Sequence, residues 1–209
     1  MLNTLIASKI FMMSDQYRKY LQSLYDYPEC VDAYFDNFEV VILGEDAVAK
    51  ISTWAKKYVE AKINETQYKI DPNRMLQRAI TGYSGEYAVQ QFLGTNFIDW
   101  SIGQSKKYNK ADLHSLGIDC GIKTVEYGKF PLVFKKPKSA EFMVIKKSDY
   151  EFWLCGWADP QILHRYQSED LILDPKLRQR GVKTAFYGFE HLIDPFFLKL
   201  IYELDLEQI

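Results

Sequence analysis

Hydrophobic periodicity changes along this chain, and the change constrains the fold more than any other feature of its 209 residues. Up to Gly94 the apolar residues recur at helical spacing; beyond Gly117 they alternate, as strand residues do. Asp46 can cap a helix running to about Ile63, with Val48, Ile51, Trp54, Ala55 and Tyr58 along one stripe. Asp71-Pro72 restarts the pattern, with Asp at the N-cap and Pro at the first helical position. Met75, Ile80, Tyr83, Tyr87 and Phe92 continue it until Gly94, a natural C-cap. A helix is also expected over Asp15–Tyr25, a strand over Phe38–Leu43, and a terminal helix from beyond Asp194-Pro195 to near Glu207.

The second half reads as strands. Ala111–His114 is short, Gly117–Val125 alternates well, and Phe130–Lys135, Glu141–Ile145 and Tyr150–Trp157 follow between Gly, Pro or Lys-Ser-Asp breaks. Such spacing predicts a largely antiparallel meander. Tyr150–Trp157 is apolar on both faces and is expected at the centre of the sheet. The expected architecture is α/β, a helix followed by a mixed, largely antiparallel sheet. Residues 1–70 would form a helical elaboration packed on the core, and residues 71–209 the main domain.

Charge excludes a uniformly basic nucleic-acid binder, since 26 Lys and Arg stand against 28 Asp and Glu. The distribution is uneven, however. Ser14–Asp46 holds two basic and eight acidic residues, 2 − 8 = −6, and Ser105–Lys147 ten lysines and four acids, 10 − 4 = +6. The acidic front could dock a basic protein partner, and the basic middle a polyanion. Cys30, Cys120 and Cys155 are odd in number and widely spaced, which fits reduced thiols in a cytoplasmic chain rather than a disulfide framework. The start lacks a basic segment before its apolar residues, so a signal peptide is not expected, nor is a membrane span. His114, His164 and His191 have no zinc spacing, and neither a P-loop nor a GxSxG elbow occurs.

The informative strand is Gly117-Ile118-Asp119-Cys120-Gly121-Ile122-Lys123-Thr124-Val125. Alternation puts Ile118, Cys120 and Ile122 on one face and Asp119, Gly121 and Lys123 on the other. If Ala111–His114 pairs beside it, Asp112 and Lys123 project into one cleft. Upstream lies the helical stretch Gly82-Tyr83-Ser84-Gly85-Glu86-Tyr87-Ala88-Val89-Gln90-Gln91-Phe92-Leu93-Gly94, whose Gly82 and Gly85 are suited to close helix packing.

These pieces resemble the PD-(D/E)xK nuclease superfamily, the restriction-endonuclease-like fold, and its phage and restriction-type members in particular. The helix around Glu86 is similar to the family's opening helix, Ala111-Asp112-Leu113 to its aspartate half-motif, and Asp119–Thr124 to its acid-x-Lys strand. The likeness spans roughly Asn73 to Trp157. It departs from the pattern at Gly121, where the acid of acid-x-Lys should stand. Either the carboxylate has migrated, with Asp119, Glu86 or Glu141 to supply it, or the site is degenerate.

The resemblance implies hydrolysis of DNA phosphodiesters with Mg²⁺ or Mn²⁺. Glu86, Asp112 and Lys123 would be catalytic, and Asp112, Asp119 and the carbonyl of Ile122 would hold the metal. Hard cations take oxygen ligands, and a lysine beside them can orient water or offset developing charge. Phosphate contacts fall to Lys106, Lys107, Lys135, Lys136, Arg178, Arg180 and Lys183. For Thr184–Phe189, core packing is expected over base stacking. The alternative is an inactive nuclease fold that binds nucleic acid or a protein partner.

Overall fold

The computed structural model describes residues 26–63, 71–102 and 111–206. The expected helix over Asp15–Tyr25, and Lys106 and Lys107, lie outside the described residues. A short helix α1 (Tyr27–Cys30) leads through a 3₁₀ turn to strand β1 (Glu39–Ile42), then to helices α2 (Glu45–Lys62) and α3 (Pro72–Leu93). Strands β2 (Cys120–Glu126), β3 (Leu132–Phe134), β4 (Ala140–Lys146) and β5 (Glu151–Ala158) follow. After them come α4 (Pro160–Arg165), β6 (Gln167–Ser168), α5 (Pro175–Arg180), β7 (Lys183–Phe186) and α6 (Pro195–Leu206).

Asp-Pro punctuates the helices. Asp71, Asp159, Asp174 and Asp194 each accept a backbone N–H from two residues on, while proline occupies the first helical position. The cap satisfies an otherwise unpaired donor and the ring fixes φ at a helical value, so one dipeptide starts α3, α4, α5 and α6. α3 ends at Gly94, whose left-handed φ of 67° lets its N–H turn back to the carbonyls of Gln90 and Gln91.

The fold is mixed α/β with a mixed sheet. Its four strands run in the order β1-β5-β4-β2, with β5 inside as its two apolar faces required. β1 and β4 are antiparallel to β5, but β2 runs parallel to β4, with Gly121 opposite Glu141 and Lys123 opposite Met143. The expected meander therefore breaks at β3. That strand leaves for a second sheet, β3-β7-β6, where Leu132 and Val133 pair with Ala185 and Thr184. With β3 removed from the series, the chain re-enters β4 from the end at which β2 began, and the pair becomes parallel.

Both faces of the main sheet are covered. Ile51 of α2 and Ala88 and Val89 of α3 pack on Cys120, Ile122, Phe142, Val144, Phe152 and Leu154. Opposite them, Met143, Ile145, Trp153 and Cys155 meet Val31, Phe38, Val133, Phe186 and Phe189. Thr184, Ala185 and Phe186 are buried, in line with core packing rather than base stacking. The strand expected over Phe38–Leu43 is β1, and it belongs to the main sheet, held there by its pairing with β5. α2 in turn locks onto α3 through Trp54, whose ring stacks on Tyr83 at 3.5 Å between centroids and whose Nε1 donates to the Trp100 carbonyl. Among the described residues, no helix is long and apolar enough to cross a membrane.

One glycine sets how closely α3 approaches β2. A Cβ at Gly85 would lie 1.8 Å from Thr124 Oγ1 and 2.7 Å from Thr124 Cβ. Gly82, expected to share this role, has nothing within 4 Å of such an atom.

Candidate functional site

Asp112 is not on a strand. Ala111–His114 was expected to pair beside β2, but Asp112-Leu113 form a turn that runs into a 3₁₀ helix, His114–Leu116. Leu113 is fully buried and anchors the turn; its N–H donates to the Cys120 carbonyl, and Gly117 reverses the chain at φ 79°. The turn nevertheless delivers the expected carboxylate. Asp112 Oδ2 accepts the N–H of Ile122 at 2.5 Å, on the side of β2 that faces away from β4. A strand residue's N–H and C=O point to the same edge, so the Ile122 carbonyl lies on the Asp112 side as well. His114 is exposed.

Gly121 is where the second carboxylate enters. The parallel register sets Glu141 of β4 beside Gly121, and a Cβ on Gly121 would stand 2.3 Å from Glu141 Oε2 and 3.6 Å from Asp112 Oδ2. The two carboxylates thus converge on the space that a side chain at position 121 would fill. Glu141 is buried, and Lys123 Nζ lies 3.1 Å from its Oε2 as an ion pair. Apart from Lys123, that oxygen has no hydrogen-bond partner among the described residues. Asp119, expected as a metal ligand, precedes β2 and is exposed. Strand parity alone had put it on the Gly121 face, but parity ends where the strand does.

Glu86 comes from α3, immediately after the glycine that sets the helix–strand approach. Burial, and then the charge of Asp112, pushes its carboxyl up from 4.5 to about 8, against the pull of Lys123. Glu141 is also raised, first by burial and then by Asp112, while Lys123 and Lys183 oppose the shift. The Cys120 thiol is raised to about 12 by burial, with Glu141 and Asp112 adding to it. The structure therefore brings together Glu86, Asp112 and Lys123, and adds Glu141.

Lys183 joins them from the second sheet. Burial and the neighbouring Lys123 lower its ammonium below the ordinary value, Glu141 resists, and Arg78 of α3 lowers it further. The other expected phosphate contacts are placed differently. Lys135 is ion-paired with Glu169, and Arg178 donates to the Asp170 and Ile172 carbonyls, clamping the loop ahead of α5. Lys136 and Arg180 are exposed. In the acidic front, Asp26, Glu29 and Asp36 are exposed, and Asp32 accepts the Tyr127 hydroxyl at 2.6 Å.

The residues fit a hard divalent cation. Among the described residues, no group of three or more His, Cys, Asp and Glu side chains forms a cage. Mg²⁺ does not need one: one or two carboxylates, with water and substrate phosphate completing the octahedron, are its usual protein ligands. Asp112 and Glu141 could serve as such a pair, since they approach each other over Gly121, where no side chain separates them.

The chain matches no family model, no curated protein and no solved structure. Its chemistry has to be read from the geometry.

One consequence is measurable without a substrate. The folded Glu86 holds its proton up to about pH 8, whereas the unfolded residue loses it near 4.5. Between those values the folded state binds more protons, so stability falls as pH rises and levels off above the folded value. Glu86→Gln removes that dependence. Its melting temperature should match wild type near pH 4.5 and exceed it by a growing margin towards pH 8. Parallel melting curves across this range would show that Glu86 titrates normally if the margin does not grow.

Proposed function

We propose that this protein is a divalent-metal-dependent nuclease acting on DNA, built on a restriction-endonuclease-like core in which α3, β2 and β4 carry the site. One observation carries the reading: Asp112 and Glu141 converge over Gly121, with Lys123 paired to Glu141 at 3.1 Å. Mg²⁺ or Mn²⁺, held by the two carboxylates and the Ile122 carbonyl, would supply charge neutralisation at the phosphate and hydroxide near neutral pH.

The chain's own residues do the remaining work. Asp112 is oriented beforehand by the Ile122 N–H, so little ordering is left for ligand binding to supply. Lys123 places an ammonium where negative charge builds on a phosphorane oxygen, the kind of fixed charge that lowers such a barrier. Glu86, its carboxyl raised to about 8, can hold a proton at neutral pH beside Asp112 and release it when a cation enters.

The test is cleavage of single- and double-stranded DNA in Mg²⁺ or Mn²⁺. Asp112→Asn and Lys123→Ala should each lower the rate by at least about 10²-fold, the scale for removing one charge-stabilising group. Variants that cut as well as wild type would sink the assignment. DNA binding without turnover in either ion would favour an inactive nuclease fold that binds nucleic acid.

A further inference from the structure

We infer that the outer face of α6 joins two copies of this chain, each α6 lying antiparallel to the α6 of the other. The inference is independent of the chemistry proposed at Gly121.

α6 is apolar on nearly every side. From Pro195 to Glu203 only Lys199 and Glu203 carry charge. A helix of that composition is ordinarily covered all round, but α6 is covered on one side only. Pro195 and Leu198 are buried, Leu198 within the core cluster that α2 and α3 cover, and the Tyr202 hydroxyl donates to Thr95 Oγ1 at 2.9 Å. Those positions, three and four residues apart, make the inner stripe. Phe196, Phe197, Leu200 and Ile201 point the other way and are 50%, 54%, 49% and 38% exposed. The Phe196 ring is already held, meeting Phe92 of α3 edge-on at 5.5 Å between centroids. Single exposed apolar side chains are normal on a surface, whereas four large ones side by side mark a contact face.

Charge identifies what covers that face. Lys199 and Glu203 line it together with Phe196, Phe197 and Leu200, and they follow one another by a turn along one edge. Neither forms an ion pair among the described residues; the Lys199 Nζ lies 5.9 Å from the centre of the Phe92 ring instead. Lysine ahead of glutamate is also the poorer order for an i, i+4 pair within one helix. The two charges stand two residues either side of Ile201. A two-fold axis level with Ile201 and perpendicular to the helix therefore sets Lys199 of each copy beside Glu203 of the other, with Phe197 and Leu200 in the seam between them. The face is complementary to itself, as a two-fold interface has to be, and a lipid surface would not call for this placement of charge. Resting on one helix, the interface is small and belongs to the weak, reversible class.

Sedimentation velocity of the full chain at low ionic strength, from micromolar to near-millimolar concentration, tests the inference. Wild type should pass from monomer to dimer over that range. Leu200→Glu should raise the dissociation constant by at least about 10²-fold, because a change in a two-fold interface counts twice. Lys199→Glu and Glu203→Lys should each weaken association by at least about tenfold, since each sets two like-charge pairs across the axis. An equimolar mixture of these two variants should recover wild-type association, every pair across the axis then being opposite in sign. Mixing cannot restore an ion pair within one helix, so recovery reads contact between copies alone. Melting curves of dilute samples would check that each variant folds.

A wild type that stays monomeric throughout overturns the inference. Neutral phosphatidylcholine vesicles that bind such a monomer, but not Leu200→Glu, would assign the face to a lipid surface instead. A dimer indifferent to Leu200→Glu, or a mixture no tighter than its components, overturns it equally.

Discussion

Gly85→Ala should be among the most destabilising single-methyl additions in this protein, while Gly82→Ala, three residues earlier on the same helix, should stabilise it. In an unobstructed helix interior, alanine is favoured over glycine by about 1 kcal/mol. Gly82 has that freedom, with nothing within 4 Å of the position a methyl carbon would take. At Gly85 the methyl carbon would meet Thr124 Oγ1 at 1.8 Å and both Thr124 Cβ and Cγ2 at 2.7 Å. Rotating the threonine clears Oγ1 and Cγ2 but not Cβ, so helix or strand must move.

Overpacking of this kind costs about 1–3 kcal/mol, and a clash against a Cβ belongs at or above the upper end. At roughly 2–4 °C per kcal/mol for a chain of this size, Gly85→Ala should lower the melting temperature by about 6–12 °C. Adding Thr124→Ala should restore part of the loss, because only the Cβ contact then remains. Equal melting temperatures for the two alanine variants would mean that α3 does not rest on β2 at Gly85. Activity should fall further than stability, since Glu86 follows Gly85 and any displacement of the helix carries it away from Asp112 and Lys123.

Local chemistry made much of this legible in the sequence. Asp71-Pro72 and Gly94 bound α3 because caps and proline act within a few residues, and the doubly apolar run Tyr150–Trp157 named the interior strand because burial on both faces leaves no polar alternation. Strand alternation grouped Asp112 with Lys123 and the family resemblance added Glu86, and their side chains do act on one another in the fold. Pairing partners were harder. β3 is three residues long, and its choice of β7 over β2 depends on a strand some fifty residues later, so a local reading gave a meander where a parallel pair stands.

The same non-local step explains the second carboxylate. Asp119 was favoured by parity along one strand, whereas Glu141 reaches Gly121 across a parallel register that no spacing rule reveals. Lys183 was expected to contact phosphate within a basic cluster, but Arg178 of that cluster turned out to spend its donors on loop carbonyls. A linear patch of charge does not say which members face a cleft.

Moving the carboxylate back to β2 gives the sharpest test of how the site is built. Glu141→Ala should lower Mn²⁺ affinity and reduce cleavage by about 10³-fold, since only Asp112 and the Ile122 carbonyl are left to anchor a cation and Lys123 loses its partner. Gly121→Asp alone should not help. Its Cβ would stand 2.3 Å from Glu141 Oε2, and its charge would add to that of Asp112 on a carboxyl that burial already raises. Together the changes are complementary, because the aspartate oxygens lie one bond beyond Cγ, in the space the glutamate vacates, and Lys123 remains two residues along on the same face. The double variant should recover Mn²⁺ binding by calorimetry and cut at least about tenfold faster than Glu141→Ala, although each change is harmful by itself. Such sign reversal is expected of side chains competing for one volume, and a double-mutant cycle reads it directly as coupling. If the double variant binds Mn²⁺ no better than Glu141→Ala, then Glu141 does not stand in for a carboxylate at position 121, and its ion pair with Lys123 is structural.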